Sequence, residues 1–212
     1  MNINLHELHN MGWIKVKNIK KRPLIDYAKY LGFPIGSRLN STVGDILKPL
    51  NKLEARKSSM SEKHGLGAFP LHTDCAYYEI PPRYILFQAI NPDITCATTL
   101  LKIQFDSLSK RDLNLLKNSI CFVQGTIKSF LTPYLKNNIF RWDINCIIPQ
   151  DRSAKKAFEV ISEYISASNP IKHYWKNTDE ILIVDNWQVV HGRESCNEHR
   201  NRQLERILVK EK

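Results

Sequence analysis

A histidine and an aspartate two residues apart, in Gly65-Leu66-Gly67-Ala68-Phe69-Pro70-Leu71-His72-Thr73-Asp74, set an imidazole and a carboxylate on one face of what reads as a strand. Side chains at i and i+2 leave a strand on the same side, so both can reach one metal ion. A third ligand has to come from elsewhere. His191 is best placed, in Asn186-Trp187-Gln188-Val189-Val190-His191-Gly192-Arg193 after the apolar strand Ile181 to Val184. Two imidazoles and one carboxylate with open positions opposite form the donor set of non-heme Fe(II) oxygenases. The His-x-Asp pair alone is weak evidence, because a chain with seven His and 21 acidic residues meets that spacing by chance. Its company strengthens it. Arg202 and Arg206 lie on the last apolar segment, and the 11 residues from His191 to Arg202 suffice for one turn and a return strand.

With these residues in order, the chain resembles the taurine dioxygenase family, the clavaminate synthase-like branch of the Fe(II)/2-oxoglutarate oxygenases. Gly65 to Asp74 looks like the family's first metal-ligand strand, and Tyr77 to Asp93, with Pro81-Pro82-Arg83-Tyr84, like the strand after it. Thr98-Thr99-Leu100-Leu101 resembles the threonine-bearing cosubstrate strand, with Cys96 and Ala97 where the family has glycines. Arg141-Trp142-Asp143 through Pro149 and Asp185-Asn186 through Arg193 match two later segments, and Arg202 and Arg206 fall at the family's two arginine positions. The match spans about residues 30 to 210.

The resemblance implies that His72, Asp74 and His191 hold iron and that Arg202 binds the distal carboxylate of 2-oxoglutarate with help from a threonine hydroxyl. A guanidinium suits that role because its planar fork meets a carboxylate with two parallel hydrogen bonds. Only one of Thr98 and Thr99 can point inward, and Thr99 is preferred. Arg206, on the same strand face as Arg202, is expected to reach the cosubstrate's proximal carboxylate or an anionic substrate group. The implied reaction consumes 2-oxoglutarate and dioxygen, yields succinate, and hydroxylates or desaturates a small molecule such as an amino acid or natural-product intermediate. With Asp74 as a ligand no position is left for a halide. A second reading keeps the metal and loses turnover, leaving a non-catalytic jelly-roll protein that acts as sensor or assembly partner.

Arg193, at i+2 from His191, is either a substrate or supporting residue of the site or half of a structural ion pair; Arg141 stays open between the same two readings. Asp185-Asn186 reads as the turn ahead of His191. Trp142, Trp187, Tyr77 and Tyr78 read as packing. His6, His9, His64, His173 and His199 show no ligand spacing.

At 212 residues the chain reads as one domain, 1–212. Five cysteines without a Cys-x-x-Cys pair argue against a zinc ribbon and against a disulfide framework, so reduced thiols and a cytoplasmic location are expected. Neither a signal peptide nor an apolar run of membrane-spanning length is visible. The net charge of +10, with Lys and Arg scattered, reads mainly as a solubility feature. A nucleic-acid partner is disfavoured because no aromatic-interleaved basic motif is present.

The elements that must position these groups are mostly strands, expected at 69–79, 83–90, 98–103, 119–125, 139–147, 181–185, 188–193 and 204–210. Helices are expected at Pro23 to Leu31, from Ser109 to Leu116, and at Ala154 to Ile165, the last with an apolar stripe at helical spacing. A mainly β chain with flanking helices fits a double-stranded β-helix, the cupin-like jelly roll. Pro49 to Lys63 reads as a loop leading into the first ligand strand. The 116 residues between Asp74 and His191 leave little room for a lid. The pocket is then open, completed by a second copy in a homodimer, or suited to a substrate held on something larger.

Overall fold

Alternation of inward and outward side chains sorts most of the strands into two facing sheets, with a three-stranded and a two-stranded sheet beside them. The computed structural model describes residues 3–38, 40–57, 59–125, 127–196 and 201–212. The larger sheet runs in the order Trp13–Lys17, Glu180–Asp185, Tyr84–Asn91, Gln203–Lys210, Phe33–Ile35, and Asp45–Leu47 also pairs with Gln203–Lys210. The smaller sheet runs Ile171–Trp175, Asp93–Lys102, Val189–Arg193, Phe69–His72. All of these pairings are antiparallel. From Tyr84–Asn91 the chain crosses to Asp93–Lys102, and later shuttles from Ile171–Trp175 to Glu180–Asp185, Val189–Arg193 and Gln203–Lys210. That crossing is the double-stranded β-helix expected from the strand pattern.

The period of two fixes what each face carries. Ile85, Phe87, Leu182, Val184, Leu204 and Leu208 of the larger sheet meet Leu100, Trp175 and Val189 of the smaller one in the inner core. Their neighbours point outward. Leu86, Ile181, Ile183, Ile207 and Val209 lie under the helices Leu5–Met11 and Leu24–Leu31. Val190 lies under Lys110–Asn118 and Arg152–Ala167, which bring Leu116, Ala154, Ala157 and Ile161. Ser109 and Asp151 cap these last two helices through the backbone N–H groups of Asp112 and Ala154.

Three expected strands are shorter than the apolar pattern suggests, 119–125 among them, which keeps only Cys121–Val123. The first ligand strand ends at His72, because the Thr73 N–H goes to the Trp142 carbonyl and the Asp74 N–H to the Asn186 side chain. The 139–147 segment contributes only Ile139–Phe140 and, after a turn held by Asp143, Ile147–Pro149. Within the 49–63 loop Met60–His64 forms a short helix capped by Ser59. Phe33–Ile35, Asp45–Leu47, Ile171–Trp175 and the helix Leu5–Met11 are additions to the expected set.

The cysteine expectation needs correction. Cys96 and Cys196 are disulfide-bonded, with Cα atoms 5.1 Å apart, while Cys75, Cys121 and Cys146 are buried thiols. Spacing along the chain carried no sign of a bridge that spans 100 residues. The cytoplasmic reading rested on unpaired cysteines and loses that support. No helix among the described residues is long and apolar enough to cross a membrane.

His173 is buried beneath Trp175, its ring edge-on at 4.3 Å, and burial pushes it down to about 4 from 6.5, with Lys15 and Arg202 adding to the shift. The unfolded chain therefore binds this proton more readily than the folded one. Stability from this group is present above pH 6.5 and is lost as pH falls toward 4, less so to the extent that Glu180 Oε1, 3.4 Å from His173 Nε2, pairs with the protonated ring. Urea unfolding at pH 7 and pH 4.5 is expected to show a smaller acid loss in His173→Phe than in the parent; an equal loss would place the sensitivity elsewhere.

Candidate metal and cosubstrate site

His72 and His191 are direct cross-strand partners on the smaller sheet, with ring centroids 4.7 Å apart. Asp74 lies in the turn beyond the strand rather than on it, yet its carboxylate returns to the same point. Its Oδ1 is 3.5 Å from His72 Nε2 and 3.8 Å from His191 Nε2. The three ligand atoms lie within 4.8 Å of one another, and no other His/Cys/Asp/Glu group of this kind occurs among the described residues. His72 Nδ1 donates to the Pro70 carbonyl at 2.9 Å, which turns the Nε2 lone pair toward the shared point. Two neutral imidazole nitrogens and one carboxylate oxygen converging from one side fit a divalent iron ion. The other expected non-ligand histidines lie apart: His6 bonds Asn10, His9 bonds Tyr84, His64 rests on Phe69, and His199 lies outside the described residues.

The electrostatics prepare His191 and Asp74 to ligate, whereas a metal would have to displace the proton that Asp74 favours on His72. Burial lowers His191 to about 3, so its ring is neutral throughout the useful pH range. His72 is raised, because the hydrogen bond and charge of Asp74 outweigh burial. Burial alone would raise Asp74, but Arg206 and the two imidazoles hold its carboxyl well below the usual range.

Arg206 does not extend its fork toward a ligand. Nη1 bonds Asp74 Oδ2 and Nη2 bonds Asp45 Oδ2, each at 2.8 Å. It therefore supports the metal carboxylate, with Asp45 placed opposite by the pairing of Asp45–Leu47 with the arginine's own strand. The arginine's Nε has no partner and the side chain lines the cavity, so the expected cosubstrate or substrate contact would fall to the N–H groups these two bonds leave free.

Arg202 behaves differently. It is buried, its Nη2 donates to Thr98 Oγ1 at 2.8 Å, Nε has no partner, and among the described residues no carboxylate forms an ion pair with it, Asp93 acting only through its charge. Burial lowers it to about 10, with neighbouring Arg193 adding to the shift, so it is a full cation at neutral pH in need of an anion. The threonine hydroxyl bonded to Arg202 is that of Thr98, not of Thr99. Register pairs Arg193 with Thr98 and His191 with Leu100, so these four share the inner face, while Thr99 pairs with Gly192 on the other. Gly192 is required there, because a Cβ would lie 2.5 Å from the Phe69 carbonyl oxygen. Thr98 Oγ1 accepts from both Arg202 and Trp175 Nε1, which leaves its own proton free for a bound carboxylate.

Arg193 has no ion pair among the described residues. Its Nη2 donates to the carbonyls of Gly65 and Gly67 at 2.7 Å each, and the guanidinium lies 3.7 Å from the Phe69 ring centroid. It ties the approach to His72 onto the strand of His191. Arg141 plays a similar part after Asp74, donating to the carbonyls of Ala76, Tyr78 and Glu79.

Asn186 escaped the sequence reading as a site residue. Beyond the turn it helps build, its Oδ1 accepts from the Asp74 N–H at 2.8 Å and its Nδ2 donates to the carbonyls of Asp74 and Pro82 at 2.9 Å. The side chain is fully buried. Its place five residues before His191 was visible; a reach of 112 residues back to Asp74 was not. Asn186→Ala strands three buried backbone groups, and a loss of about 3 kcal/mol in urea unfolding is expected, together with weaker Zn(II) binding. An unchanged metal affinity would restrict Asn186 to the fold.

The triad, Arg202, Thr98 and Arg193 line one cavity of about 1090 Å³, which also reaches Leu204, Phe87 and Tyr77. No protein-family model matches the chain, and no curated protein matches it. Solved structures do. An asparagine oxygenase in complex with Fe(II), 2S,3S-3-hydroxyasparagine and succinate superposes with a TM-score of 0.78 at 17% identity, over 97% of this chain and 77% of that one. The non-heme iron oxygenase OrfP in complex with Fe and alpha-ketoglutaric acid gives a TM-score of 0.77 at 18% identity, over 97% and 78%. OrfP with Fe, succinate and (3S)-hydroxy-L-Arg gives 0.76 at 16%, over 97% and 79%. What this chain shares with these oxygenases, along nearly its whole length, is the double-stranded β-helix fold.

Proposed function

We propose that the protein is an Fe(II)- and 2-oxoglutarate-dependent oxygenase that hydroxylates or desaturates a small molecule of the amino-acid type. The observation that carries this reading is Arg202: a buried cation without an ion-paired carboxylate among the described residues, bonded to Thr98, in the cavity that brings His72, Asp74 and His191 together. A metal triad alone suits many proteins. A triad with an unmatched guanidinium beside it suits a chelating ligand that carries a second carboxylate. The neighbours of like fold, which hold iron with succinate or alpha-ketoglutaric acid and hydroxylated amino acids, support the same reading.

His72, Asp74 and His191 would hold iron, which would supply the redox centre through which the keto acid and the substrate each give two electrons to dioxygen. The chain's own residues do the rest. Arg202 and Thr98 hold the distal carboxylate with charge and a hydroxyl proton, which fixes how far the keto acid reaches. Arg206 and Asn186 hold Asp74 in place from its free oxygen and its backbone. Phe87, edge-on to His191 at 5.8 Å, and Leu204 close the inner end with apolar surface and exclude water.

The test is an anaerobic titration of the apoprotein with Fe(II) and then 2-oxoglutarate, followed by the visible charge-transfer band of the chelate. The band is expected in the parent and lost in both His191→Ala and Arg202→Ala. Metal binding without a band in the parent would favour a non-catalytic metal protein instead.

A further inference from the structure

Whole-chain charge suggested scattered cations, but at the site they gather. Eight of the 32 residues lining the cavity are Lys or Arg, against 31 of 212 in the chain; three are carboxylates, against 21 of 212. Cations are therefore enriched at this cavity and acids are not. Three of the eight are the inner arginines already accounted for. The other five, Arg38, Lys48, Arg56, Lys57 and Lys63, come from one wall of the mouth, contributed by residues 38–63. Lys63 donates to Asn145 Oδ1. Arg38, Lys48, Arg56 and Lys57 are exposed and pair with no carboxylate among the described residues.

This imbalance survives loading of the site. A divalent metal and a dianionic keto acid cancel, and Asp74 is matched by Arg206. A zwitterionic amino acid adds no net charge, and a single carboxylate leaves most of the wall unanswered. A phosphate ester carries up to two charges and three acceptor oxygens, which suits a cluster of forked guanidinium and ammonium groups. Resting on the oxygenase reading, we infer that the substrate carries a phosphate ester remote from the oxidised carbon, held at the mouth by Arg38, Arg56 and Lys57. The ester has two sources, a free phosphorylated small molecule or the phosphate of a pantetheine-type arm, and the same chemistry recognises both.

The experiment uses the full chain loaded with Zn(II) in place of iron and with 2-oxoglutarate. Calorimetry compares O-phospho-L-serine, L-aspartate, coenzyme A and sodium sulfate, on the parent, on Arg56→Glu/Lys57→Glu, and on Arg38→Glu. O-phospho-L-serine or coenzyme A is expected to bind at least tenfold more tightly than aspartate and sulfate. That preference should fall at least tenfold in the charge-reversed variants while 2-oxoglutarate affinity stays unchanged. Tighter coenzyme A would assign the arm as the source, and tighter phosphoserine the free ester. Phosphate esters binding no better than aspartate or sulfate, or equally well in the variants, would overturn the inference. Failure of 2-oxoglutarate to bind the parent would instead overturn the oxygenase reading, so the two are separable.

Discussion

Arg202→Gln is expected to weaken 2-oxoglutarate binding to the Zn(II)-loaded protein by about two orders of magnitude, in line with the about 2–5 kcal/mol that follows loss of one partner from a desolvated charge pair. Without cosubstrate the same variant is expected to be more stable than the parent, by about 1 kcal/mol in urea unfolding, because a buried cation with no carboxylate costs the empty protein. The opposite signs make the prediction discriminating. Arg202 lies within 2.8 Å of Thr98 Oγ1, so a purely structural arginine would lose stability on substitution and leave cosubstrate affinity alone. Arg202→Lys keeps the charge and loses the fork, and about a tenfold weakening is expected. Calorimetric titration and denaturant midpoints on the three proteins check all of this.

Arg206→Leu should do the reverse. Removing it leaves Asp74 and Asp45 without their shared partner, and both side chains are largely shielded, at 8% and 26% exposure. Breaking such a bridge costs about 2–3 kcal/mol after allowance for that exposure. Because Asp74 Oδ2 is then free to swing, Zn(II) affinity is expected to fall about 10–100-fold, the usual effect of losing a group that orients a ligand. An arginine that serves the cosubstrate would show the other pattern, with metal affinity intact and 2-oxoglutarate affinity lost. The additional loss on Asp45→Asn should be smaller in the Arg206→Leu background than in the parent, since the two share one bridge.

The ligand triad and the fold class were legible because both rest on local chemistry. His72 and Asp74 are two positions apart, and His191 follows an apolar run whose only sensible place is inside a sheet. The strand periodicity carried the jelly roll, and the stripe on Arg152–Ala167 carried its covering helix. The failures share a cause: they depend on register or on contacts distant in sequence. Thr98 and Thr99 differ by one residue, and only the pairing of Gly192 with Thr99 decides which faces the cavity. Asp45 lies on a three-residue strand too short to show a pattern, so the bridge that occupies Arg206 was invisible. Asp74 was placed on a strand, yet Asn186 draws it into a turn, and the carboxylate reaches the site by a different route.

The Cys96–Cys196 bond changes the distance along the chain between the two halves of the anion clamp. Thr98 and Arg202 are 104 positions apart by peptide bonds alone. Through the sulfurs the path is two residues from Thr98 to Cys96 and six from Cys196 to Arg202. When the sheets breathe apart, the short tether keeps the effective concentration of guanidinium near hydroxyl high, and the logarithmic dependence of closure on length makes that difference worth about 2 kcal/mol. Of the triad, His72 and Asp74 lie outside the covalent ring and His191 lies inside it, five residues before Cys196. A thiol reductant would thus loosen the pairing of Arg202 with Thr98 and, through His191 within the ring, would reach the triad as well.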